Sequence, residues 1–137
     1  MKRDWNLLHI LLAHFETESI GEFIQDMDKT DRWTEGQYFS DYLKSDTDKR
    51  RGIVYGHLEL LVDGGYVQGI ELRLDDKGYS CGLFHPRLTN EGHDLLQAMR
   101  SDNLWGKVKK LASEKGVELS IQSLKYLIPF AYKQIFD

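Results

Sequence analysis

The glycine pair Gly64-Gly65 separates two stretches with different hydrophobic spacing, and this change constrains the fold more than any other feature. Before it, "DTDKRRGIVYGHLELLVD" carries apolar residues at helical spacing, which predicts a helix over about residues 49–63. After it, "YVQGIELRL" and "YSCGLF" alternate apolar and polar residues, which predicts a β-hairpin with a loop of about four residues, "DDKG". Glycine adopts a positive φ without steric cost, so we expect Gly64 to stop the helix.

Helical patterns precede this central helix. Asp4 is a good N-cap for a first helix whose apolar stripe includes Leu8 and Phe15, and which should fray after about residue 16. The stretch 20–48 is harder to interpret, because its apolar residues are interrupted by a polar run. Its spacing favours one short helix near 20–27 and another near 37–44.

Three further helical patterns follow the hairpin. Gly116 is expected to end the second of them, and Pro129 should kink or split the third because proline removes a helical hydrogen bond. The expected caps are Thr89, Ser101 or Asp102, and Ser120.

This order of elements predicts an α+β fold with a winged helix-turn-helix core. The hairpin is then the wing, and the helix over 49–63 takes the position of the recognition helix. We expect the winged-helix domain to occupy residues 1–100. Residues 101–137 would form a helical tail that packs on it or makes a dimer seam, within one structural unit.

Composition narrows the class of protein. With 137 residues, of which 41% are hydrophobic, the chain is expected to form one domain with a real core. A single cysteine, Cys81, excludes an internal disulfide framework. No secretory leader or membrane span is expected, so the simplest prediction is a cytoplasmic protein with no membrane partner. The net charge of −4 counts against a dedicated non-specific nucleic-acid binder, although a local basic patch remains compatible with it.

Three separated blocks resemble one known family: "MKRDWNLLHILL", "HLELLVDGGYV" and "RLTNEGHDLLQAMRSDNLW". The family is DUF2513, a bacterial and phage-associated group of small proteins of unknown function. The resemblance covers residues 1–16 and 52–110 and implies a winged-helix-like body, but no reaction and no catalytic residue. The matching positions are Met1 to Asp4, His57, Leu60, Leu61, Gly65, Leu88, Thr89, Gly92, His93, Leu96, Arg100 and Trp105.

A basic cluster, Lys49-Arg50-Arg51, stands at the start of the central helix and suggests double-stranded DNA as a partner. If the helix enters the major groove, Arg51 and Tyr55 face outward and contact bases. Cations on the wing would add phosphate contacts and make binding strongly salt-dependent. The predicted phosphate contacts are Lys49, Arg50, Arg73, Lys77 and Arg87.

Two functions therefore remain open. The leading prediction is a DNA-binding regulator of phage or prophage type, expected to be a homodimer. The alternative is a winged-helix protein-interaction module without DNA binding, with the basic cluster no more than a solvated helix end. Glu59 and Asp63 on the helix, with Asp75 and Asp76 at the wing tip, favour this alternative because carboxylates repel phosphate.

No chemical site is predicted. His93 lacks an obvious nucleophile or acidic partner, so it is interpreted as a buried or half-buried histidine that joins hairpin and tail. His57 is likewise interpreted as structural. No two histidines have the spacing of a helical zinc motif, and we expect no enzyme activity, metal or cofactor.

Aromatic residues are unusually frequent in the last helix. They either pack on the body of the protein or form a homodimer seam or partner surface. These residues are Tyr126, Phe130, Tyr132 and Phe136.

Overall fold

The computed structural model describes residues 2–27, 47–76 and 78–136. Within these ranges the chain forms six helices and a two-stranded antiparallel sheet, which confirms the predicted α+β class. The winged-helix assignment within that class remains a prediction. The elements are α1 (Trp5–Glu16), α2 (Ile20–Met27), α3 (Thr47–Asp63), β1 (Val67–Asp75), β2 (Gly78–Leu88), α4 (Asn90–Arg100), α5 (Asp102–Glu114) and α6 (Leu124–Phe136).

Helix α1 begins where its cap predicts. The Asp4 carboxylate accepts hydrogen bonds from the backbone N–H groups of Asn6 and Leu7, at 3.0 and 3.2 Å. Helix α2 spans the predicted residues 20–27, whereas the predicted helix near 37–44 lies outside the described residues. The buried side of α1 consists of Leu7, Leu8, Leu11, Leu12 and Phe15.

Helix α3 starts two residues before the predicted position 49 and ends at Asp63. Its C-terminus closes with two backbone bonds, from Gly65 N–H to the Val62 carbonyl and from Tyr66 N–H to the Leu61 carbonyl, at 3.0 and 2.9 Å. Gly65, rather than the predicted Gly64, adopts the left-handed conformation, with φ +75°. The chain therefore turns sharply from α3 into β1.

The two strands form the predicted hairpin, and β2 extends it as far as Leu88. The register pairs Val67 with Leu88 and Asp75 with Gly78. Only positions 76 and 77 lie between the last pair, so the predicted four-residue loop is wrong. The alternation in β1 predicts that Ile70, Leu72 and Leu74 all point inward. Ile70 and Leu72 do pack on the core, but Leu74 near the tip is largely exposed, so the prediction for Leu74 is wrong.

A large bulge interrupts the hairpin near its base. Gln68 pairs with Arg87 and Ile70 with Leu83, so the single residue Gly69 on β1 lies opposite residues 84–86 of β2. Gly69 has φ +80°, and a Cβ atom there would overlap the backbone carbonyl of His85. Glycine is therefore required at this position.

The start of α4 lies directly on the turn between α3 and β1. The Thr89 hydroxyl donates to the Gly65 carbonyl at 2.6 Å and accepts from the Gly92 N–H at 3.1 Å. The Thr89 N–H donates to the Tyr66 carbonyl at 3.0 Å. A Cβ atom on Gly92 would overlap that same carbonyl oxygen, so only glycine allows the helix to approach this closely.

The tail helices follow their predicted boundary signals. Ser101, not Asp102, caps α5 by accepting from the Leu104 N–H at 3.2 Å, and Gly116 with φ +66° follows the end of that helix. Ser120 and Ser123 exchange reciprocal side-chain to backbone bonds before α6. Helix α6 continues through Pro129, so the predicted split does not occur.

One apolar core joins the helices before the hairpin to those after it. The buried cluster includes Leu8 of α1, Leu58 of α3, Leu95 of α4, Val108 of α5 and Leu127 of α6. The tail therefore contributes to the same core as α1 and α3.

Candidate functional site

Tyr55, a predicted base contact, lies inside the protein against the hairpin. Only 2% of its surface is exposed, and its ring stacks on Tyr79 with 5.1 Å between the ring centroids. Its hydroxyl donates to Sγ of Cys81 at 3.7 Å, and burial raises the pKa of this hydroxyl to about 12. The predicted outward orientation is wrong, because the hairpin covers this side of α3.

Arg51, the other predicted base contact, is half-buried and also points toward the hairpin. Its Nη2 donates to the Tyr79 carbonyl at 2.7 Å, and its guanidinium carbon lies 5.3 Å from the centroid of the Tyr55 ring. Arg51 therefore connects α3 to β2, which corrects the predicted outward orientation.

Arg50, a predicted phosphate contact, is fully buried, with 0% of its surface exposed. The predicted exposure is wrong because Arg50 lies one helical turn before Val54, on the same inward stripe. A buried guanidinium cannot reach a DNA backbone unless the start of α3 moves. Two other predicted phosphate contacts, the Lys49 side chain and Lys77, lie outside the described residues.

Arg73 and Arg87 are exposed on the hairpin, as a phosphate contact requires. Arg73 lies 3.2 Å from the Glu71 carboxylate. Arg87 donates to the Gln68 side chain and the His85 carbonyl, each at 3.0 Å. These bonds are exposed and weak, so both cations remain available to a partner.

The exposed part of α3 is acidic where its side chains are described. Glu59 and Asp63 face solvent one turn apart, whereas Arg50 and Tyr55 are buried and Arg51 is half-buried. A phosphate backbone would therefore meet carboxylates on this part of the helix.

His57 has the structural role that the sequence predicts. It is fully buried, its Nδ1 donates to the Ile53 carbonyl at 2.7 Å, and its Nε2 accepts from the Asp4 N–H at 2.8 Å. Acceptance at Nε2 requires the neutral ring, and burial lowers the pKa of His57. The side chain thus ties α3 to the start of α1.

His93 does not join the hairpin to the tail. It is exposed, one residue beyond the close contact between Gly92 and Tyr66, and the predicted burial is wrong. The contact between α4 and the start of the hairpin is instead made by the Thr89 hydroxyl, and it is possible because Gly92 has no side chain.

Neither a metal site nor a membrane span is found in the described ranges. No group of three or more His, Cys, Asp or Glu side chains there is arranged to hold a metal ion. No helix in these ranges is long and apolar enough to cross a membrane.

The hairpin exposes apolar side chains that sequence patterning did not identify. Leu74 is 64% exposed and Phe84 is 69% exposed. Phe84 lies within the bulge, and its ring approaches the space above Gly82. The sequence signals for this bulge are Gly69 in one strand and Pro86 in the other, because glycine and proline inside a strand are typical of bulges.

Helix α6 exposes a second set of apolar side chains. Tyr126 is 50% exposed and Phe130, one turn later, is 41% exposed. Nζ of Lys115 lies 4.5 Å from the centroid of the Phe130 ring. We call this surface the α6 face; its exposed members are Lys125, Tyr126, Pro129, Phe130, Lys133 and Gln134.

Comparison with known proteins places the chain in a family. An uncharacterized protein of Haemophilus influenzae is 25% identical over 126 residues, which is 91% of this chain and 90% of that relative. No solved structure matches the chain. The family model described as "Hypothetical protein (DUF2513)" matches residues 2–118, and the chain therefore belongs to the DUF2513 family.

Proposed function

We propose that the protein is a protein-interaction module that contacts its partner through the α6 face. The observation that carries this proposal is the exposure of Tyr126 and Phe130, one turn apart on the outer side of α6. As proposed, the protein is not an enzyme and works by binding alone.

The two exposed aromatic residues are not needed to fill the core. The inward side of α6 is complete without them, since Leu124, Leu127 and Ala131 are fully buried there. Large aromatic side chains at the centre of an exposed patch are the residues that most often dominate the affinity of protein interfaces. The α6 face therefore has the composition of an interface.

The architecture of α3 also favours a protein partner over DNA. Arg50 and Tyr55, which would have to contact DNA, are part of the interior, and Arg51 is bonded to the hairpin. The exposed Glu59 and Asp63 would oppose a duplex on the same helix.

Site-specific photo-crosslinking tests the proposal. A photoreactive phenylalanine analogue replaces Tyr126 in the full chain, and the same analogue replaces Glu59 as the matched control. We expect position 126, but not position 59, to give a reproducible adduct with one protein in cells that naturally produce the chain. That protein, once purified, should bind the Tyr126→Ser/Phe130→Ser variant at least about tenfold more weakly than wild type. Equal affinities, or no adduct specific to position 126, would contradict the proposal.

A dimeric DNA-binding regulator of phage or prophage type is the second candidate. It is favoured by the direct succession of α3 and a hairpin, the order of a winged helix, and by the exposed Arg73 and Arg87 on that hairpin. Such a protein would bind through the wing rather than through the predicted face of α3.

A mobility-shift titration against mixed-sequence duplex DNA tests this second candidate. Wing binding predicts a shift at low salt that weakens steeply at moderate salt and is lost in Arg73→Glu/Arg87→Glu. Lys109→Glu/Lys110→Glu changes the net charge equally on the exposed side of α5 and should leave the shift intact. The absence of a shift at micromolar protein and low salt would eliminate the candidate.

A further inference from the structure

We infer that the partner segment bound by the α6 face is acidic and amphipathic. This inference rests on the proposed function and adds the chemistry of the partner. It is carried by the charges around Tyr126 and Phe130.

The sequence from Ile121 to Phe136 contains no Asp or Glu. Lys133 is exposed three residues after Phe130, and Lys115 reaches over the Phe130 ring from the end of α5. The two aromatic rings are therefore accompanied by cations on the same helix face and at its border.

Two acidic residues of α4 lie beside the other border of α6. Glu91 and Asp94 of α4 line a shallow cleft together with Lys125 and Pro129, so they offset the charge of Lys125. Two acids flank Lys115 in sequence, but Glu114 lies 4.0 Å from Lys110 and Glu118 lines a cleft with Lys2 and Arg3. These acids have cations of their own, so the border at Lys115 and Lys133 keeps a positive character. An acidic partner segment would thus be oriented with its carboxylates toward Lys115 and Lys133.

Two other occupants are alternatives that the experiments distinguish. A two-fold axis that joined like borders of two copies would bring lysines together, whereas one that set the lysine border against Glu91 and Asp94 would not, so a second copy is tested by light scattering. A nucleic acid would meet a chain of net charge −4 and the carboxylates of Glu91 and Asp94, whereas a short peptide contacts only the local surface. An acidic peptide with one apolar face matches the surface best.

The spacing of the rings indicates the form of that peptide. Side chains four residues apart on a helix lie about 5–6 Å apart at their Cβ atoms, which leaves room for one partner side chain between them. A helix with apolar residues at i, i+3, i+4 and i+7 places its apolar stripe on such a surface, and flanking Asp or Glu can reach the lysines.

Fluorescence anisotropy with three labelled 18-residue peptides tests the inference. The first peptide has Leu and Phe at i, i+3, i+4 and i+7 with Glu and Asp elsewhere. The second keeps the apolar residues but replaces the acids with Lys and Arg, and the third keeps the acids but replaces the apolar residues with Ser. We expect the first peptide to bind the full chain at least about tenfold more tightly than either other peptide, and more weakly as salt increases.

Two variants locate the binding on the α6 face. Lys115→Gln/Lys133→Gln should weaken the acidic peptide by about three- to tenfold, since each exposed ion pair contributes modestly. Tyr126→Ser/Phe130→Ser should abolish measurable binding, and Lys109→Gln/Lys110→Gln, the matched control, should leave the dissociation constant unchanged.

The outcomes separate this inference from the proposed function. A crosslinked partner at position 126 whose contact segment is not acidic, or equal binding of the acidic and basic peptides, overturns the inference and leaves the proposed function standing. A dimer in light scattering that Tyr126→Ser/Phe130→Ser dissociates would replace the acidic peptide by a second copy. Tight binding of single-stranded DNA that these serines remove would overturn both.

Discussion

At the scale of single residues, His57 is a buried polar side chain in which both ring nitrogens have a hydrogen-bond partner. One ring nitrogen donates to Ile53 and the other accepts from Asp4, so the ring joins two helices without an orphan hydrogen-bonding group. A proton on Nε2 would oppose the Asp4 N–H donor. The neutral form of the ring is therefore part of the folded structure.

This geometry predicts loss of stability in mild acid. Burial lowers the pKa of His57 below its ordinary value of 6.5, so the unfolded chain binds protons first and the free energy of unfolding falls as the pH drops below 6.5. Burial also lowers the pKa of His9 and His14, which adds to the effect. Urea denaturation between about pH 7.5 and 5 should show this decrease in the wild type.

The His57→Gln variant isolates the contribution of His57. We expect it to lose about 1–2 kcal/mol of stability near neutral pH, because the paired contacts are broken, and to depend less on pH below 6.5. His93→Gln is the matched control and should behave as wild type, since His93 is exposed. An unchanged pH slope in His57→Gln would show that other groups cause the acid sensitivity.

At the scale of elements, the close approach of α4 to the hairpin entrance depends on one missing side chain. Gly92→Ala should destabilise the protein by roughly 3 kcal/mol or more, because the methyl group would overlap the rigid Tyr66 carbonyl. Gly106→Ala, at an exposed position inside α5 with open space around the Cβ atom, should instead stabilise it by up to about 1 kcal/mol. Thermal denaturation of both variants measures the difference, and similar behaviour would contradict the proposed packing.

Element boundaries could largely be predicted from sequence because the signals are local. Asp4, Thr89 and Ser101 cap helices through contacts within three residues, and Gly116 follows the end of α5 through its own φ angle. The hairpin follows from the alternation after Gly65 in the same way. The sequence also shows an excess of aromatic residues in α6, but it leaves open whether they pack on the body of the protein or form a dimer or partner surface.

Contacts distant in sequence decided what could not be predicted. The hairpin folds back over the start of α3, so Tyr55 meets Tyr79 and Arg51 meets a β2 carbonyl. The apolar stripe in the sequence of α3 predicts which side of the helix is buried in the core. It does not show that the hairpin covers a second side of the same helix. The predicted outward orientation of Arg51 and Tyr55 is wrong for this reason. The exposure of Phe84 cannot be predicted from the pattern, because bulge geometry depends on both strands.

At the scale of the whole molecule, several contacts within residues 2–118, the range that the family model matches, join one element to another. Asp4 meets His57, Trp5 packs edge-on against Trp105 at 5.7 Å, and Arg100 pairs with Glu16 at 2.9 Å. The α6 face lies beyond the family match, which ends at residue 118.

The tail should nevertheless be indispensable for folding. Removing the residues after Gly116 would expose the sides of α4 and α5 that pack on α6, and would delete the Tyr66 hydroxyl bond to the Ile121 carbonyl at 2.6 Å. We expect the shortened chain to lose cooperative unfolding, measured by near-ultraviolet circular dichroism during urea denaturation. A cooperative transition of wild-type midpoint would show that the tail is an independent appendage.

The bulge at Gly69 has a consequence for how the hairpin can assemble. If β1 were shifted by two residues relative to β2, a residue with a side chain would take the place of Gly69. Its Cβ atom would then overlap the backbone of His85. The bulge therefore disfavours pairing of the two strands in this shifted register. The same bulge interrupts the regular strand edge around Phe84, which makes that part of the hairpin a poor template for a foreign strand.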